Sequence, residues 1–331
     1  MWVGEIEVHD DDQVRHFWRA GKEADSFERS YAAFWSLQSA TVAFRSAHNS
    51  VEQRPIAAIE GSEILGVNQV GLPVLDNTHV AYVEPLVRPA YRRRGVGTAL
   101  LEAGLELARD NGRTTVVAEV NIPLAGVSAG YDFMARRGFA TGILDIHRVL
   151  ELPLDESVFD ALAARAAPHH GDYELVGIGD VLPEEYMAGY CALSSAFNTE
   201  APMGDLDLQP EVWDADRVRQ AEARFREQGR HGCATVALAH DGTLVGLTEM
   251  MTTDQQPEIG HQSGTLVAKE HRGHRLGLAL KAANLRTYQR RFPEVTTVHS
   301  WNAEDNGPMV AINETLGFRP VERLAELQRK L

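Results

Sequence analysis

The chain has 331 residues, 44% of them hydrophobic, and a formal net charge of −15. Its length fits two domains of about 150 residues or one large α/β domain, and its apolar fraction excludes a wholly disordered chain. The excess of 47 Asp and Glu over 32 Lys and Arg argues against duplex nucleic acid or an anionic membrane as the main partner.

The cysteine content and the hydropathy of the chain exclude further classes of protein. Cys191 and Cys233 supply no disulfide framework, and no Cys/His cluster has the spacing of a zinc site. The first eight residues carry neither a basic region nor an apolar run, and no segment of about 20 apolar residues occurs. We therefore expect a cytoplasmic protein that binds no metal and has no membrane segment.

The predicted elements occur twice in the same order: an opening strand, helical segments, a hairpin, an apolar strand, a basic glycine loop that opens a helix, a further strand and a short helix. In the first half the strands fall at 5–8, 56–60 and 114–120, with one further strand that contains Gly66 and another that ends at Val87. In the second half they fall at 173–176, 234–240 and 296–301, with one further strand that contains Gly246 and another that ends at Val267. Each half therefore has the complete set of elements.

Matching residues show that the two halves are repeats of one fold. Four anchors recur in order at an offset of 179 to 182 residues: Gly66 and Gly246, Gly97 and Gly277, Thr114 and Thr296, Gly138 and Gly317. A fixed offset over several anchors is the signature of a duplication. We predict an N-terminal domain at 1–152, a linker at 153–171 and a C-terminal domain at 172–331.

The basic glycine loop of each repeat has the features of an anion-binding site. In the first repeat a strand runs into Arg92-Arg93-Arg94-Gly95-Val96-Gly97 and then into a helix. Glycines let the backbone approach a ligand closely, and the helix N-terminus adds partial positive charge. The loop is not a Walker A sequence, because no Gly-Lys-Ser/Thr follows, and it lacks the third glycine of the dinucleotide fingerprint.

With the hairpin before it and the Gly138-Phe139 element after it, this loop resembles the acyl-CoA motif of the GNAT superfamily of N-acyltransferases, in a tandem form. The motif Val-x-Pro-x-x-Arg-x-x-Gly-x-Gly is complete from Val87 to Gly97. The second repeat keeps Val267, Arg272 and Gly277, but Lys269 replaces the proline and Arg275 replaces the first glycine.

The resemblance implies two tandem α/β domains, each with a mixed, mainly antiparallel sheet flanked by helices and splayed between its fourth and fifth strands. It implies that acetyl-CoA or another short acyl-CoA is the co-substrate. The residues it assigns to acyl-CoA binding are Leu86, Val87, Arg92, Arg93, Arg94, Gly95, Val96, Gly97 and Thr98, and Leu266, Val267, Arg272, Gly273, His274, Arg275, Leu276, Gly277 and Leu278.

A second family motif, Asn-x-x-Ala-x-x-x-Tyr-x-x-x-Gly-Phe, is incomplete in both repeats. Its tyrosine commonly protonates the departing thiolate, but Met134 and Asn313 stand at that position here. Tyr131, one helical turn before Met134, is a candidate substitute, and a packing role for it is equally open. Asn302 and Asn306 are candidate contacts of the pantetheine amides; as an alternative, they only form turns.

Direct attack by an amine on the thioester calls for a base and a backbone N–H near the fourth strand. The candidate bases are Glu84 in the first repeat and His261 in the second. We expect one active domain, with the C-terminal one favoured, and the other degenerate or structural. The predicted acceptor is a small-molecule amine, and the predicted state is a monomer or homodimer. The acidic loop 198–207 is a candidate for binding the acceptor; as an alternative, it is only a solvated loop. A non-catalytic acyl-CoA sensor and transfer to a hydroxyl remain alternatives.

Overall fold

A computed structural model describes residues 1–46, 50–200 and 202–331. The chain divides into two units, each of which is described by itself. Unit 1 comprises Met1–Leu144, Met203–Gln209 and Arg323–Leu331. Unit 2 comprises Asp145–Pro202 and Pro210–Glu322.

Unit 1 is a mixed sheet with helices on both faces. Its strands are β1 (Trp2–Glu5), β2 (Val51–Glu60), β3 (Glu63–Pro73), β4 (Val80–Val87) and β5 (Thr115–Pro123). Its helices are α1 (Asp11–Ser26), α2 (Leu37–Arg45), α3 (Val96–Asp110) and α4 (Ala129–Ala135). Neighbouring strands from β1 to β4 pair antiparallel, whereas β4 and β5 pair parallel.

Local sequence explains the helices that flank the glycine loop of unit 1. Leu100, Leu101 and Leu105 recur at helical spacing in α3 and are buried against β2, β3 and β4. The helix is followed by Gly112, whose φ of +69° suits glycine at a helix C-terminus. On the other face of the sheet, α1 and α2 bury Phe17 and Phe44.

Unit 2 repeats this arrangement. Its further strands are β7 (Glu174–Ile178), β8 (Arg230–Leu238), β9 (Leu244–Thr253), β10 (Gln256–Val267) and β11 (Thr297–Ala303). Its helices are α5 (Glu156–Ala166), α6 (Met187–Glu200), α7 (Ala215–Glu227), α8 (Leu276–Arg291) and α9 (Gly307–Leu316). The pairs β7–β8, β8–β9 and β9–β10 are antiparallel, and β10–β11 is parallel.

The boundaries of the units do not coincide with those of the sequence repeats, because part of the last strand of each repeat belongs to the other unit. In β6 (Ala140–Glu151), the residues from Asp145 onward belong to unit 2, where they pair antiparallel with β11. In β12 (Arg319–Lys330), the residues from Arg323 onward belong to unit 1, where β12 follows β5 in the sheet. Each unit is therefore completed by residues of the other repeat.

The segment predicted as a linker, 153–171, holds helix α5. Phe159 and Leu162 of this helix are buried in the same apolar cluster as Leu285 and Tyr288 of α8. The segment is therefore packed into the core of unit 2.

The predicted α/β fold class is confirmed by these mixed sheets with helices on their faces. In the described part of the chain, no helix has both the length and the apolar character needed to cross a membrane. Over those same residues, the structure contains no group of three or more His, Cys, Asp or Glu side chains placed to hold a metal ion.

Candidate active site

The two glycine loops share a backbone conformation that suits an anion. In unit 1, Arg93 and Gly95 have φ values of +63° and +83°, and in unit 2 Gly273 and Arg275 have values of +89° and +51°. Left-handed residues at such spacing turn successive amide N–H groups inward, next to the unsatisfied N–H groups that open α3 and α8. A Cβ atom added at Gly95 or Gly273 would meet nothing within 4 Å. The loops fit the pyrophosphate group that the resemblance implies.

The replacement of the first motif glycine by Arg275 leaves this conformation intact. Arg275 retains a left-handed φ, at a cost of about 1–2 kcal/mol for a non-glycine residue. Its Nη1 donates to the carbonyl oxygen of Arg165 at 2.9 Å. The second loop therefore has the geometry of the first, despite its poorer match to the motif.

Arg92 and Arg272, although exposed, each hold their loop to the preceding strand. The Nε of each donates to the carbonyl of the last residue of the preceding strand, Val87 or Val267, at 3.1 Å. Arg94 forms an ion pair with Glu60 at 3.3 Å. Phosphate contacts by these arginines remain a prediction.

The other loop residues divide between helix starts and core. Val96 and Leu276 begin α3 and α8 and are buried, and Leu278 is buried in the apolar core of unit 2. Thr98 accepts a hydrogen bond from Arg137 at 2.6 Å. His274 lies with its ring centroid 5.4 Å from that of Tyr173.

The parallel strand pair of each unit is short. In unit 1 the register of β4 and β5 ends at Tyr82 and Val117. In unit 2 the register of β10 and β11 ends at His261 and His299. Beyond these residues the two strands are no longer paired. This is the splay between the fourth and fifth strands that the resemblance implies.

A β-bulge lies between Gln262 and Thr265, one residue beyond His261. Gln262 is opposite Met250 and Thr265 is opposite Thr248, so β10 uses one residue more than β9. A bulge leaves backbone groups outside the strand ladder, here at Ser263 and Gly264. In unit 1 the matching strand runs in regular register, and the N–H of Glu84 donates to Asn68 Oδ1 at 2.9 Å.

Three histidines and a tryptophan cluster at the splay of unit 2. Trp301 stacks on His147 with ring centroids 4.2 Å apart, and His261 lies 5.9 Å from His299 by the same measure. His147 Nε2 is 2.9 Å from His299 Nδ1, and His147 Nδ1 is 2.9 Å from Glu322 Oε1. All members of this Glu322–His147–His299 relay are buried.

The relay has one consistent proton assignment when Glu322 is ionised and His147 is neutral. A carboxylate only accepts, so His147 carries its proton on Nδ1 and His299 must donate its own Nδ1 proton to His147 Nε2. The relay thus determines which ring nitrogen of His299 carries the proton, namely Nδ1.

His261 is held neutral by its surroundings. Burial lowers its pKa to about 4, and the charge of Arg230 contributes in the same direction. At neutral pH its imidazole accepts hydrogen bonds but is a weaker base than an ordinary histidine.

Comparison with known proteins identifies the family. The chain matches a solved structure titled "Tandem GNAT protein from the clavulanic acid biosynthesis pathway (without AcCoA)" at 30% identity, with a TM-score of 0.81, over 99% of this chain and 98% of that one. The chain belongs to the GNAT acetyltransferase family. The profile described as "Acetyltransferase (GNAT) family" matches residues 12–139.

Two further relatives extend the comparison. A mycothiol acetyltransferase of Sanguibacter keddieii is 29% identical over 249 residues, which are 72% of this chain and 70% of that protein. A GCN5-related N-acetyltransferase of Sphaerobacter thermophilus shares the fold at a TM-score of 0.67 and 16% identity, over 99% of this chain and 95% of that one. The protein is therefore an acetyl-CoA-dependent N-acetyltransferase of tandem GNAT architecture.

The second GNAT motif is turned into the protein. Asn313, at the tyrosine position, is fully buried and its amide donates to Asn302 Oδ1, while Asn306 caps α9 by accepting from Met309 N at 3.3 Å. In unit 1, Met134 is buried and the hydroxyl of Tyr131 lies 2.9 Å from Thr141 Oγ1. Acid or pantetheine roles for Tyr131, Asn302 and Asn306 remain predictions.

Glu84, the candidate base of unit 1, is a poor base at neutral pH. Burial raises its pKa to about 8, and the charges of Glu119 and Asp25 add to this, with Arg29 acting in the opposite direction. It is therefore mostly protonated at pH 7. The position also differs from that of His261, because Glu84 lies two residues beyond the last paired residue of β4.

The acidic loop predicted near the acceptor has partly structural contacts. Asp207 accepts from Thr115 Oγ1 at 2.7 Å and forms an ion pair with Lys330, all within unit 1. Ala201 lies outside the described residues.

Sequence reasoning missed the relay. His147 and Glu322 lie on β6 and β12, outside every family motif, and their side chains meet only through strand pairing. The pattern Val298-His299-Ser300-Trp301 in a predicted strand was the one local signal.

Proposed function

We propose that unit 2 is the catalytic unit and that it transfers acetyl from acetyl-CoA to a primary amine of a small molecule in a ternary complex. The observation that carries this proposal is the position of His261 and His299, the last paired residues before the splay, with the bulge of β10 beginning after Gln262. This supports a histidine and the backbone amides of the bulge as the groups that act on the thioester.

Bound acetyl-CoA supplies the acetyl group as a thioester, and the acceptor arrives as an ammonium ion that gives up one proton. Its nitrogen then bonds to the acetyl carbon, the carbon–sulfur bond breaks, and CoA leaves as the thiol with a second proton from that nitrogen. The amides of the bulge donate to the carbonyl oxygen as negative charge develops on it. His261, neutral at pH 7, accepts a hydrogen bond from the amine and orients it. His299 takes up the proton, and Glu322 stabilises the charged relay through His147.

Unit 1 is proposed to be degenerate or structural. Asn68 already accepts from the N–H of Glu84, and Glu84 is protonated at neutral pH because its pKa is about 8. The N-terminal loop retains a backbone that suits acetyl-CoA binding without turnover.

A small-molecule acceptor is supported by the relatives that cover most of the chain. One is named for mycothiol and another for the clavulanic acid biosynthesis pathway. The identity of the acceptor is a separate question, and the amine class follows from the GNAT family.

A matched pair of glycine substitutions tests which unit turns over. Gly97 and Gly277 occupy the same place in α3 and α8, where an added Cβ approaches Phe133 at 3.5 Å or Ile312 at 3.0 Å. We expect Gly277→Leu to abolish thiol release from acetyl-CoA with an amine panel, and Gly97→Leu to retain it, when both variants remain folded by circular dichroism. Complete loss in both variants contradicts a single catalytic unit.

The non-catalytic sensor is the second candidate, and one observation favours it: neither unit has the tyrosine of the second motif, since Met134 and Asn313 stand there and are buried. Acetyl-CoA binding by calorimetry without thiol release across the amine panel would support the sensor and reject the transferase.

A further inference from the structure

Within the described part of the chain, Arg230 has no partner for its charge. Its Nε atom is buried without a hydrogen bond, and among the described residues Arg230 makes no ion pair. Burial lowers its pKa, and the charge of Arg224 lowers it further, with no carboxylate acting in the opposite direction. A desolvated cation of this kind is costly unless something anionic binds to it.

Arg230 lies on the same face of the sheet as His261. On β8 it shares its face with Gly232, Ala234 and Val236, and Val236 packs in the apolar cluster that includes residues of α6 and α7. Gly232 is opposite Met251, which in turn is opposite His261. The charge of Arg230 contributes to the lowered pKa of His261. We call this side of the unit 2 sheet the acceptor face.

The distance between Arg230 and His261 along the strands matches the length of a small molecule. Arg230 is opposite Thr253, two residues from Met251, which places the backbone positions of Arg230 and His261 about 7 Å apart along the strand direction. Because Gly232 has no side chain, nothing on β8 itself stands between them.

Glu249 lies on the other side of His261 on the same face. It is two residues from Met251 on β9, and it accepts a hydrogen bond from the hydroxyl of Tyr190 on α6 at 3.1 Å. The acceptor face thus presents, in order along the strands, the carboxyl group of Glu249, whose pKa is raised by burial and lowered in part by Tyr190, a neutral histidine, and a guanidinium without an ion pair among the described residues. This order complements an ammonium group and an anionic group on one ligand.

We infer that the acceptor of unit 2 is an amine that also carries an anionic oxyacid group, a carboxylate or a phosphate, which Arg230 binds. The inference rests on the proposed function and specifies its substrate class. The chain as a whole has a net charge of −15, so an anionic acceptor needs a local cation to bind. Arg230 supplies it.

Matched amine pairs test this inference in the full-length protein. Thiol release from acetyl-CoA is measured for β-alanine and β-alaninamide, 4-aminobutyrate and 4-aminobutanamide, and O-phosphoethanolamine and ethanolamine. We expect the anionic member of at least one pair to have a kcat/KM about tenfold or more above its neutral partner, as a charge-assisted contact gives. The first two pairs report a carboxylate and the third reports a phosphate.

Substitution of Arg230 then assigns the preference to this side chain. Arg230→Met is expected to raise KM for the preferred anionic amine about tenfold while kcat/KM for the neutral partner stays within about twofold. Arg230→Lys, which retains the charge, restores part of the preference. Arg226→Met, at an exposed position of α7 nearby, is the matched control and leaves both members unchanged. Circular dichroism and thermal melting confirm that each variant is folded.

The outcomes distinguish the anionic acceptor from the proposed transferase function. Acetylation of neutral and anionic amines at equal rates, or equal losses for both in Arg230→Met, overturns the inference and leaves the proposed function standing. Absence of thiol release with every amine overturns both.

Discussion

His147 Nε2 lies 2.9 Å from His299 Nδ1, although the two residues are 152 positions apart in the chain. His147 belongs to β6 and His299 to β11, and these strands pair antiparallel in unit 2. Through an ionised Glu322 and a neutral His147, the contact places the proton of His299 on Nδ1. A base at the splay therefore depends on residues from both sequence repeats.

The Glu322→Gln variant tests the relay. Glutamine retains the shape but loses the charge that orients His147, so we expect kcat to fall about tenfold or more with little change in KM for acetyl-CoA. The free energy of unfolding should fall by about 1–3 kcal/mol, because a buried charged hydrogen bond is lost. Steady-state kinetics across pH and urea unfolding measure the two effects.

A purely structural role for the relay predicts a different result. It would reduce stability in Glu322→Gln while the pH profile of kcat stays that of the wild type. Glu322→Asp, which restores the charge at a shorter reach, should recover part of the activity under our interpretation.

The lowered pKa of His261 predicts a dependence of stability on pH. Because the native pKa is about 4 and the ordinary value is 6.5, the unfolded chain binds a proton in this window and the native protein does not. Stability should therefore fall as the pH decreases from 6.5 to 4, by on the order of 2–3 kcal/mol from this residue. Urea unfolding at pH 7 and 4.5 measures it.

The control for this prediction is a histidine outside the cluster. His261→Gln should flatten the difference between the two pH values, whereas His231→Gln, at an exposed residue paired with Asp254, should leave it intact. An unchanged slope in His261→Gln would show that His261 is not the group responsible.

Glu84 is expected to change stability with pH in the direction opposite to that of His261. Its native pKa of about 8 lies above the ordinary value of 4.5, so the native state holds the proton more tightly and stability falls as the pH rises from 4.5 to 8. Glu84→Gln should be more stable than the wild type at pH 8.5, by on the order of 2 kcal/mol, and similar to it at pH 4.5. Equal stability of the two proteins at pH 8.5 would contradict the raised pKa.

Asp207 is expected to act on stability rather than on acceptor binding. Lys330 and, next, Thr115 lower its pKa through hydrogen bonds, and both partners lie in unit 1. Asp207→Asn should reduce the free energy of unfolding by about 1 kcal/mol, most clearly above the ordinary carboxyl pKa, where the charge is present. KM for the acceptor should not change, and a rise in KM would return this loop to the acceptor site.

Several features could be predicted from the sequence because they are local. The glycine loops, their offset of 180 residues and the apolar periodicity of α3 follow from short patterns that backbone conformation and burial impose directly. These patterns were sufficient for the α/β class and for the GNAT family. The positions of Glu84 and His261 near the ends of the fourth strands were also predictable, but their protonation was not, because a pKa depends on burial and on neighbouring charges.

Only the tertiary structure decided how the site is completed. The sequence by itself determined two repeats of one fold, whereas strand pairing assigns the end of β6 to unit 2 and the end of β12 to unit 1. Backbone hydrogen bonds between strands are formed over long sequence separations, and no local pattern specifies the partner. For this reason the loops were predictable, whereas the His147–His299 contact and the unpaired charge of Arg230 were not.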